Sequence, residues 1–577
     1  MAKQKIMLGN EAIARGAYEA GVKVSAAYPG TPSTEISENL VQYDDIYCEW
    51  SPNEKVATEV AIGASISGVR AMASMKHVGL NVASDPLYTA SYIGANGGLM
   101  MVVADDPGLY SSQNEQDTRC VARAALVPVL EPSDSQEAKD FVKEAYRISE
   151  EYDTPVILRT TTRLAHSQGP VVLEDRVEPE DKPYERNPGK NVMMPGNAIK
   201  RHLHVEDRMN RLEKDGSDFA INKAEYNDTS IGFITSGIPY QYVKEVFPQA
   251  SVLKLGMVYP LPKKLIEEFA KKVDKLYIFE ELEPVIEEQV KAWGIECIGK
   301  EIFTRQGEYS ANLLREKVLG QNVETKPYPN LPARPPILCP GCPHRSTFTV
   351  LNKLKIHAAG DIGCYTLGAV APLSAMDMTL CMGGSISSIH GFNKALGKES
   401  EGKTVAVIGD STFMHSGMTG LANIAYNQSN STVVILDNSI TGMTGHQQNP
   451  TTGYNIKGDP AGKINLEALC KAMGFNRVRV VDPYDLKACD EAVKEELAAE
   501  EPSVIISRRP CALLKYVKHN KPLKVVEDNC KGCKACMKLG CPAITVKDKK
   551  AVIDVTLCVG CGVCKQLCKH DALQAGE

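Results

Sequence analysis

Eight cysteines are crowded into a short segment near the carboxyl end of this chain of 577 residues. They are eight of its 18 cysteines, and all of them lie between Cys530 and Cys568. In a reducing compartment, thiols at this density are typical of metal ligation and not of disulfide bonds. This segment is therefore predicted to fold around metal.

The order of these cysteines follows a repeated spacing, Cys-x-x-Cys-x-x-Cys followed by a fourth cysteine. The spacing resembles that of bacterial-type ferredoxins, in which a tight turn aims three thiolates at one [4Fe–4S] cluster and the distant fourth cysteine reaches the other cluster. The rule assigns one cluster to Cys530, Cys533, Cys536 and Cys568, and the second to Cys558, Cys561, Cys564 and Cys541.

Two details of this segment depart from the ferredoxin pattern. Four residues, and not three, separate Cys536 from Cys541, and Lys569 replaces the proline that usually follows the fourth cysteine. The longer spacer is expected to weaken ligation by Cys541 or to change the potential of its cluster. A zinc ribbon is the competing interpretation, which the tandem triple-cysteine runs disfavour. Residues 525–577 contain eight lysines against six acidic residues, a bias that suits an acidic electron carrier or an ordinary solvated surface.

The composition is that of a globular protein, with 43% hydrophobic and 24% charged residues. A net charge of −6 gives no reason to expect nucleic acid as a partner. No apolar run reaches the roughly 18 residues that span a bilayer, and the amino terminus lacks the pattern of a secretion signal. We therefore expect a cytoplasmic protein with neither a membrane nor a nucleic-acid partner.

The chain is long enough for several α/β domains, and the alternation of buried strands with helices predicts their order. Residues 1–165 are predicted to form a first α/β domain, whose sheet is closed by the strand Pro155–Thr160. A Pro-rich linker is expected from Tyr328 to Pro336, and a short basic linker from Lys515 to Lys524. The remaining segments are a charged connector at 166–228 with an amphipathic helix near 197–214, a second α/β unit at 229–327, a third at 337–512 and the ferredoxin domain at 525–577.

The third unit contains two predicted parallel strands with polar ends. Residues 404–410 form the first strand, whose end lies in the motif Gly409-Asp410-Ser411. A helix is expected at about 416–427, and the second strand, residues 431–437, leads to Asn438. Parallel neighbours place Asp410 and Asn438 side by side, where open α/β sheets bind ligands. A carboxylate, an amide oxygen and a main-chain carbonyl can hold Mg²⁺. The stretch resembles the thiamine-diphosphate signature, with Ser411 and Asp437 as departures, and that signature implies the carbonyl of Ile440 as third ligand. An ordinary polar turn between two strands is the alternative.

With these pieces in place, the chain resembles the 2-oxoacid:ferredoxin oxidoreductases along nearly its whole length, in particular the large subunits of the indolepyruvate-oxidising branch. The resemblance implies two thiamine-diphosphate-binding open-sheet domains, one for the pyrimidine and one for the diphosphate, a transketolase-C-terminal-like α/β domain and an α+β bacterial-type ferredoxin domain. It rests on Tyr28-Pro-Gly-Thr-Pro32, Asn53-Glu54 to Ser65, Cys339-Pro-Gly-Cys-Pro-His-Arg345, Gly409-Asp-Ser411, Thr444-Gly-His-Gln447 and the ferredoxin tail.

The resemblance also implies roles for residues of the first domain. Glu54 matches the glutamate that hydrogen-bonds N1′ of the aminopyrimidine, a contact that favours the imino tautomer needed for catalysis. Its alternative role is that of a helix-start residue facing the macrodipole. Thr31 matches a threonine near the substrate carboxylate, and its alternative role is a turn hydroxyl. Lys76 and His77, expected in a turn after a strand, are further candidates for contact with a charged oxoacid.

Two histidines and four more cysteines complete the predicted sites. His415 and His446 flank the diphosphate motif, and His446 is taken as a cofactor-binding residue. Relatives that oxidise pyruvate and 2-oxoglutarate hold a proximal [4Fe–4S] cluster with a Cys-x-x-Cys pair, a Gly-Cys turn and a Pro-Cys near the domain end. The matching positions are Cys339, Cys342, Cys364 and Cys511. A structural pair with incidental thiols is the alternative.

The reaction implied by the resemblance is oxidative decarboxylation of an aryl 2-oxoacid such as indolepyruvate. Coenzyme A takes the acyl group, and electrons pass through iron–sulfur clusters to ferredoxin. A smaller subunit from a separate chain is expected, and with it a hetero-oligomer. The competing functions are the same chemistry on another 2-oxoacid, a non-oxidative thiamine decarboxylase, and a non-catalytic iron–sulfur electron-transfer subunit.

Overall fold

The chain folds into two compact units, Met1–Tyr328 and Pro329–Glu577. The computed structural model describes residues 3–324, 330–332 and 335–576. The predicted Pro-rich linker at 328–336 therefore falls partly outside the described residues. None of the described helices combines the length and the apolar character needed to cross a lipid bilayer.

The strands of the first unit are mostly short and buried. They are β1 (Gln4–Leu8), β2 (Val24–Ala27), β3 (Tyr47–Trp50), β4 (Ala71–Lys76), β5 (Leu99–Asp105), β6 (Val129–Leu130), β7 (Val156–Thr161), β8 (Gln168–Val172), β9 (Lys223–Glu225), β10 (Asp228–Ser236), β11 (Ala250–Leu255), β12 (Met257–Tyr259) and β13 (Leu276–Phe279). A seven-stranded sheet has the order β12-β6-β7-β5-β4-β2-β3, and a four-stranded sheet has the order β13-β10-β11-β9. Both are parallel except at one edge strand each, β12 and β9.

Helices alternate with these strands. They are α1 (Gly9–Glu19), α2 (Thr34–Leu40), α3 (Glu54–Ser67), α4 (His77–Ile93), α5 (Thr118–Ala125), α6 (Ser135–Tyr152), α7 (Thr162–His166), α8 (Pro188–Asn191), α9 (Pro195–Asp215), α10 (Pro239–Val246), α11 (Lys263–Ala270), α12 (Val285–Ala292) and α13 (Ala311–Lys317). Side chains that cap the first turn mark the start of several of these helices. Asn53 caps α3 by accepting a hydrogen bond from the N–H of Val56 at 2.9 Å, and Asp134 caps α6 in the same way from Glu137.

The first unit differs from the sequence prediction in how its segments join. The strand expected to close the first sheet is β7, which lies inside the sheet between β6 and β5, so that prediction was wrong. The edge is β12, which comes from the segment assigned to the second α/β unit. The predicted connector also contributes structure, because β8 pairs with β1 and β9 joins the second sheet. One apolar core consequently runs through both sheets.

The second unit contains a parallel five-stranded sheet of order β14-β15-β16-β18-β17, followed by two small antiparallel pairs, β19-β22 and β20-β21. Its strands are β14 (His357–Ala359), β15 (Thr404–Gly409), β16 (Thr432–Asp437), β17 (Arg477–Val481), β18 (Ser503–Arg508), β19 (Leu523–Val525), β20 (Ile544–Lys547), β21 (Lys550–Ile553) and β22 (Leu573–Ala575). Its helices are α14 (His344–Leu354), α15 (Gly384–Leu396), α16 (Asp410–Thr412), α17 (Met418–Tyr426), α18 (Leu466–Ala472), α19 (Leu486–Leu497) and α20 (Val563–Gln566).

The central strands β15 and β16 are buried along their whole length, as expected of a sheet covered on both faces. They pair in parallel, which confirms the predicted neighbours. The helix between them begins at Asp410, earlier than predicted, because a π-helical segment at Phe413–Gly417 joins α16 to α17. Asp410 therefore lies in the first turn of a helix as well as at the end of a strand.

Candidate active site

Three oxygen atoms converge where β15 and β16 end, at the residues predicted to bind Mg²⁺. The side-chain oxygen of Asn438 lies 3.0 Å from Asp410 Oδ1 and 2.8 Å from the carbonyl oxygen of Ile440. In this orientation of the amide no proton lies between the three oxygens, an arrangement that suits a hard cation. If the amide is turned over, its nitrogen instead donates hydrogen bonds to Asp410 Oδ1 and to the carbonyl oxygen of Ile440. The carboxylate, the amide and the main-chain carbonyl are thus of the chemical types that fit Mg²⁺.

The second carboxylate oxygen of Asp410 is held by two residues that the sequence analysis did not select. Thr451 Oγ1 donates to Asp410 Oδ2 at 3.0 Å, and Asn449 Nδ2 donates to the same atom at 3.3 Å. Burial, and then the neighbouring Asp437, raises the pKa of Asp410 to about 7. A bound cation would oppose both effects. The only sequence signal for Asn449 and Thr451 is their place in a polar turn after the Thr444-to-Gln447 motif.

The other residues of the diphosphate motif surround this point. Gly409 has no room for a side chain, because a Cβ there would lie 2.6 Å from Cε1 of Tyr365. Ser411 Oγ accepts a hydrogen bond from Thr441 Oγ1 at 2.9 Å, so the serine is part of the local network. The buried His415 pairs with its neighbour Ser416, with Nδ1 2.7 Å from Oγ.

In the first unit, Glu54 begins α3 as predicted and lies against the first turn of α4. Its carboxyl group is packed on Gly79, where an added Cβ would lie 2.6 Å from Oε1. Glu54 is buried, with 5% of its surface exposed. A buried carboxyl group fixed in this way suits the predicted hydrogen bond to the aminopyrimidine.

The other predicted substrate residues lie around the start of the same helix. His77 is the first residue of α4 and not part of a turn, so that local prediction was wrong. Its Nε2 lies 3.2 Å from the carbonyl oxygen of Asn114. Lys76 Nζ donates to the carbonyl oxygen of Ser111 at 2.6 Å, and burial lowers the pKa of Lys76 to about 8. Ser111 Oγ in turn donates to the carbonyl oxygen of Thr31 at 3.3 Å.

The cysteines of the tail lie in the two groups predicted from the ferredoxin rule. Among the described residues, no three His, Cys, Asp or Glu side chains meet closely enough to bind a single metal ion. Each group of tail cysteines lines a cavity. The outer quartet lines one cavity, and the inner quartet lines another, together with Pro340 and Gly341. The outer quartet is Cys530, Cys533, Cys536 and Cys568, and the inner quartet is Cys541, Cys558, Cys561 and Cys564.

The third predicted group, the proximal quartet of Cys339, Cys342, Cys364 and Cys511, is also brought together. Burial, and then the neighbouring Cys511 and Cys339, raises the pKa of Cys364 to about 11. Burial, and to a smaller extent the neighbouring Cys364 and Cys339, also raises the pKa of Cys342. His446, predicted as a cofactor-binding residue, lies at this group, with Nε2 3.8 Å from Sγ of Cys511. The N–H of Cys511 donates to the carbonyl oxygen of Asn438 at 2.9 Å. The proximal quartet therefore adjoins the candidate Mg²⁺ site.

Comparison with known families gives a match in each region. Residues 15–225 match the family described as pyruvate flavodoxin/ferredoxin oxidoreductase, thiamine diP-bdg. Residues 361–507 match the family described as thiamine pyrophosphate enzyme, C-terminal TPP binding domain. Residues 551–574 match a 4Fe-4S binding domain. The predicted fold class is thereby confirmed.

Whole-chain comparison finds relatives that are named indolepyruvate oxidoreductase subunit IorA. The protein from Pyrococcus abyssi is 44% identical over 99% of this chain and 96% of its own length. The protein from Archaeoglobus fulgidus is 40% identical over 99% and 97% of the two chains. The protein from Methanothermobacter thermautotrophicus is 38% identical over 98% and 97%. The similarity therefore extends through the candidate sites of both units.

Proposed function

This chain belongs to the family of the indolepyruvate oxidoreductase IorA subunits, and we propose that it is the large subunit of an enzyme that oxidatively decarboxylates aryl 2-oxoacids such as indolepyruvate. As a member of this family it is a thiamine-diphosphate-dependent 2-oxoacid:ferredoxin oxidoreductase. In the proposal, coenzyme A receives the acyl group as aryl-acetyl-CoA and ferredoxin receives the electrons. A smaller subunit from a separate chain completes a hetero-oligomer.

The observation that carries the proposal is the position of Asn438 between two sites. Its side-chain amide lies against Asp410 Oδ1 and the carbonyl oxygen of Ile440, whereas its main-chain carbonyl oxygen accepts the N–H of Cys511. A cofactor anchored at the first site would lie beside the proximal quartet. This proximity favours oxidation with single-electron transfer over a non-oxidative decarboxylation, because the non-oxidative reaction transfers no electrons to a cluster.

Residues of each unit have separate roles in the proposed reaction. When bound, thiamine diphosphate supplies the electron sink for decarboxylation. Asp410, Asn438 and the carbonyl of Ile440 would hold Mg²⁺ and through it the diphosphate. Glu54 would hold a proton at N1′ of the aminopyrimidine. Thr31 and His77 would orient the carboxylate and keto group of the oxoacid.

Three cysteine quartets are proposed to hold one [4Fe–4S] cluster each. Four thiolates at each position match the ligand number of such clusters. Because the proximal quartet adjoins the cofactor anchor and the inner quartet adjoins the Cys339–Cys342 loop, the quartets give electrons a continuous route to the outer quartet. Cys533, which is exposed, lies at the far end of that route, where ferredoxin would dock.

The substrate class is tested by anaerobic turnover with the small subunit present. Aryl, aliphatic and acidic 2-oxoacids are compared at equal concentration, with coenzyme A, and reduction of a viologen is the readout. We expect the highest kcat/KM for indolepyruvate or another aryl acid. A preference for glutarate-like acids would contradict the proposed substrate.

The role of Glu54 is tested by Glu54→Gln. An amide cannot provide the same proton at N1′, so kcat should fall by about 10² to 10⁴, while iron content and thiamine-diphosphate affinity stay close to those of the parent. Glu59→Gln is the matched control, because Glu59 lies on the same helix but is half exposed and pairs with Lys55. Turnover of the Glu54 variant equal to that of the Glu59 variant would refute the assignment.

A further inference from the structure

Arg345 is a buried arginine whose guanidinium group makes hydrogen bonds to four main-chain carbonyls. It is the second residue of α14, and only 3% of its surface is exposed. Nε donates to the carbonyl of Cys339 at 3.2 Å, and Nη2 donates to that of Leu338. Nη1 donates to the carbonyl of Leu539 at 3.2 Å and also to that of Gly540. The planar fork of arginine is suited to such a set of acceptors.

The four carbonyls come from two loops that serve different quartets. Leu338 and Cys339 open the loop of the proximal quartet. Leu539 and Gly540 lie in the spacer between Cys536 and Cys541, the spacer that is one residue longer than in bacterial-type ferredoxins. The longer spacer thus carries two of the carbonyls to which Arg345 donates.

Gly540 shows how closely the spacer is fitted to the arginine. Its φ of +66° lies in the left-handed region that favours glycine. An added Cβ would lie 2.9 Å from Cδ of Pro372 and 3.3 Å from Nη1 of Arg345. The loop of the proximal quartet meets the ferredoxin domain at a second point, because a Cβ on Gly341 would lie 2.2 Å from Cγ2 of Val559.

The charge of Arg345 acts on both quartets. The cysteines that interact with this charge are Cys339 and Cys342 of the proximal quartet and Cys541 and Cys561 of the inner quartet. The guanidinium stays protonated in proteins, so it is a fixed positive charge between two groups of thiolates. A cluster with four thiolate ligands is anionic and gains one more negative charge on reduction, and net charge is one of the factors that set its potential.

We propose that Arg345 is a positioning residue that clamps the proximal quartet to the inner quartet and makes reduction of both clusters easier. The inference rests on the proposed iron–sulfur ligation. Its four hydrogen bonds hold the two cysteine-bearing loops at a set separation. Its charge stabilises the reduced, more negative form of a cluster on either side, so an electron that leaves the proximal position meets a favourable field along the route.

The test compares Arg345→Gln, which removes the charge, with Arg345→Lys, which keeps the charge but loses the fork. Arg479→Gln is the control, because Arg479 is a surface residue of β17 that pairs with Glu495. The anaerobic, full-length protein is titrated with dithionite and followed by EPR, which gives the potentials and the magnetic coupling of the clusters. Hydrogen exchange of the iron-free protein reports the N–H groups of residues 338–342 and 539–541 without any cluster.

We expect Arg345→Gln to shift two of the cluster potentials to more negative values and to weaken the coupling between the reduced clusters. Arg345→Lys should keep the potentials nearer those of the parent, and both variants should speed exchange at the two loops. The proposal would be overturned if Arg345→Gln and Arg479→Gln had the same cluster potentials, the same magnetic coupling and the same exchange rates.

If Arg345→Gln fails to assemble, the measurements on Arg345→Lys test the proposal. Iron loss in Arg345→Lys as well, despite its retained charge, would refute the electrostatic part, and unchanged exchange in its iron-free form would refute the clamp. Iron analysis of the parent separates this outcome from a failure of the proposed function. A parent without iron would refute the ligation on which the inference rests, whereas an iron-loaded parent with unresponsive variants would refute the role of Arg345 alone.

Discussion

At the scale of single residues, the position of Glu54 depends on the absence of a side chain at Gly79. An added Cβ there would lie 2.6 Å from Oε1, 2.7 Å from Cγ and 2.8 Å from Cδ of Glu54, which is too close for any of these atoms to stay in place. Glu54 is the first residue of α3, and Gly79 lies in the first turn of α4. The carboxyl group of Glu54 is thus held by the approach of two helix starts.

Gly79→Ala is therefore expected to displace the Glu54 carboxyl group. Because a shift of about 1 Å in a catalytic group can cost up to about 10²-fold in rate, kcat should fall roughly ten- to hundredfold. Steady-state turnover with the small subunit is the measurement, and iron content should not change.

Gly63→Ala is the matched control for this substitution. Gly63 lies within α3, where an added Cβ meets nothing within 4 Å. Replacement by alanine in a helix favours folding by up to about 1 kcal/mol, so this variant should be active and slightly more stable. Equal turnover in the Gly79 and Gly63 variants would show that the carboxyl group does not depend on Gly79.

At the scale of elements, the ends of β5, β7 and β13 meet in a buried network of charges. Arg159 pairs with Asp105 at 2.6 Å and with Glu131. Arg119 pairs with Asp117 and Glu280, both at 2.7 Å. Acidic groups outnumber arginines here, since Glu281 lies at the same place and accepts the N–H of Tyr309 at 2.8 Å. Burial, opposed by Arg159 and reinforced by Glu308 and Glu131, raises the pKa of Glu281 to about 7.

This pKa predicts a pH dependence of stability. The folded chain holds the Glu281 proton more tightly than the unfolded chain, in which the glutamate has its ordinary pKa of 4.5. The contribution of Glu281 is fully present below pH 4.5 and is lost as pH rises through 7, a total of about 3 kcal/mol. Glu281→Gln should remove that loss and so raise the thermal midpoint at pH 8 relative to the parent, with a smaller difference at pH 5.

Glu283→Gln is the control for this measurement, because Glu283 is an exposed neighbour that pairs with Arg305. Its thermal midpoint should follow that of the parent across the pH range. A Glu281 variant whose difference from the parent is the same at pH 5 and at pH 8 would contradict the predicted titration.

At the scale of the whole molecule, the second unit arranges three cysteine quartets in order from the cofactor anchor to an exposed thiol. If each holds a [4Fe–4S] cluster, the chain binds about twelve irons. Cys364→Ser removes one ligand of the proximal quartet, so iron should fall to about eight per chain while the inner and outer quartets stay loaded. Anaerobic iron analysis and EPR are the measurements.

Cys381→Ser is the control for iron content, because Cys381 is exposed and belongs to none of the quartets. It should retain the iron of the parent. About eight irons in the parent, unchanged by Cys364→Ser, would show that the proximal quartet is a set of incidental thiols.

Much of the site could be predicted because its signals are local. The tail cysteines repeat at intervals set by the turn that each cluster needs, and Asp410 and Asn438 each follow a buried strand. Asn449 and Thr451 carried no such signal, and the motif that contains Arg345 did not indicate its partners. Asn449 and Thr451 donate to Asp410, which lies 39 and 41 residues away, and Arg345 donates to Gly540, which lies 195 residues away.

The sequence by itself determined the alternation of strands and helices, the spacing of the cysteines and the choice of candidate residues for binding a cofactor. These follow from local periodicity and from the ligand chemistry of side chains. Only the tertiary structure decided that β12 forms the edge of the first sheet, that β8 pairs with β1, and that Arg345 joins two quartets. Such contacts depend on packing between distant segments, where a short strand or a single buried side chain finds its partner only after the core has formed.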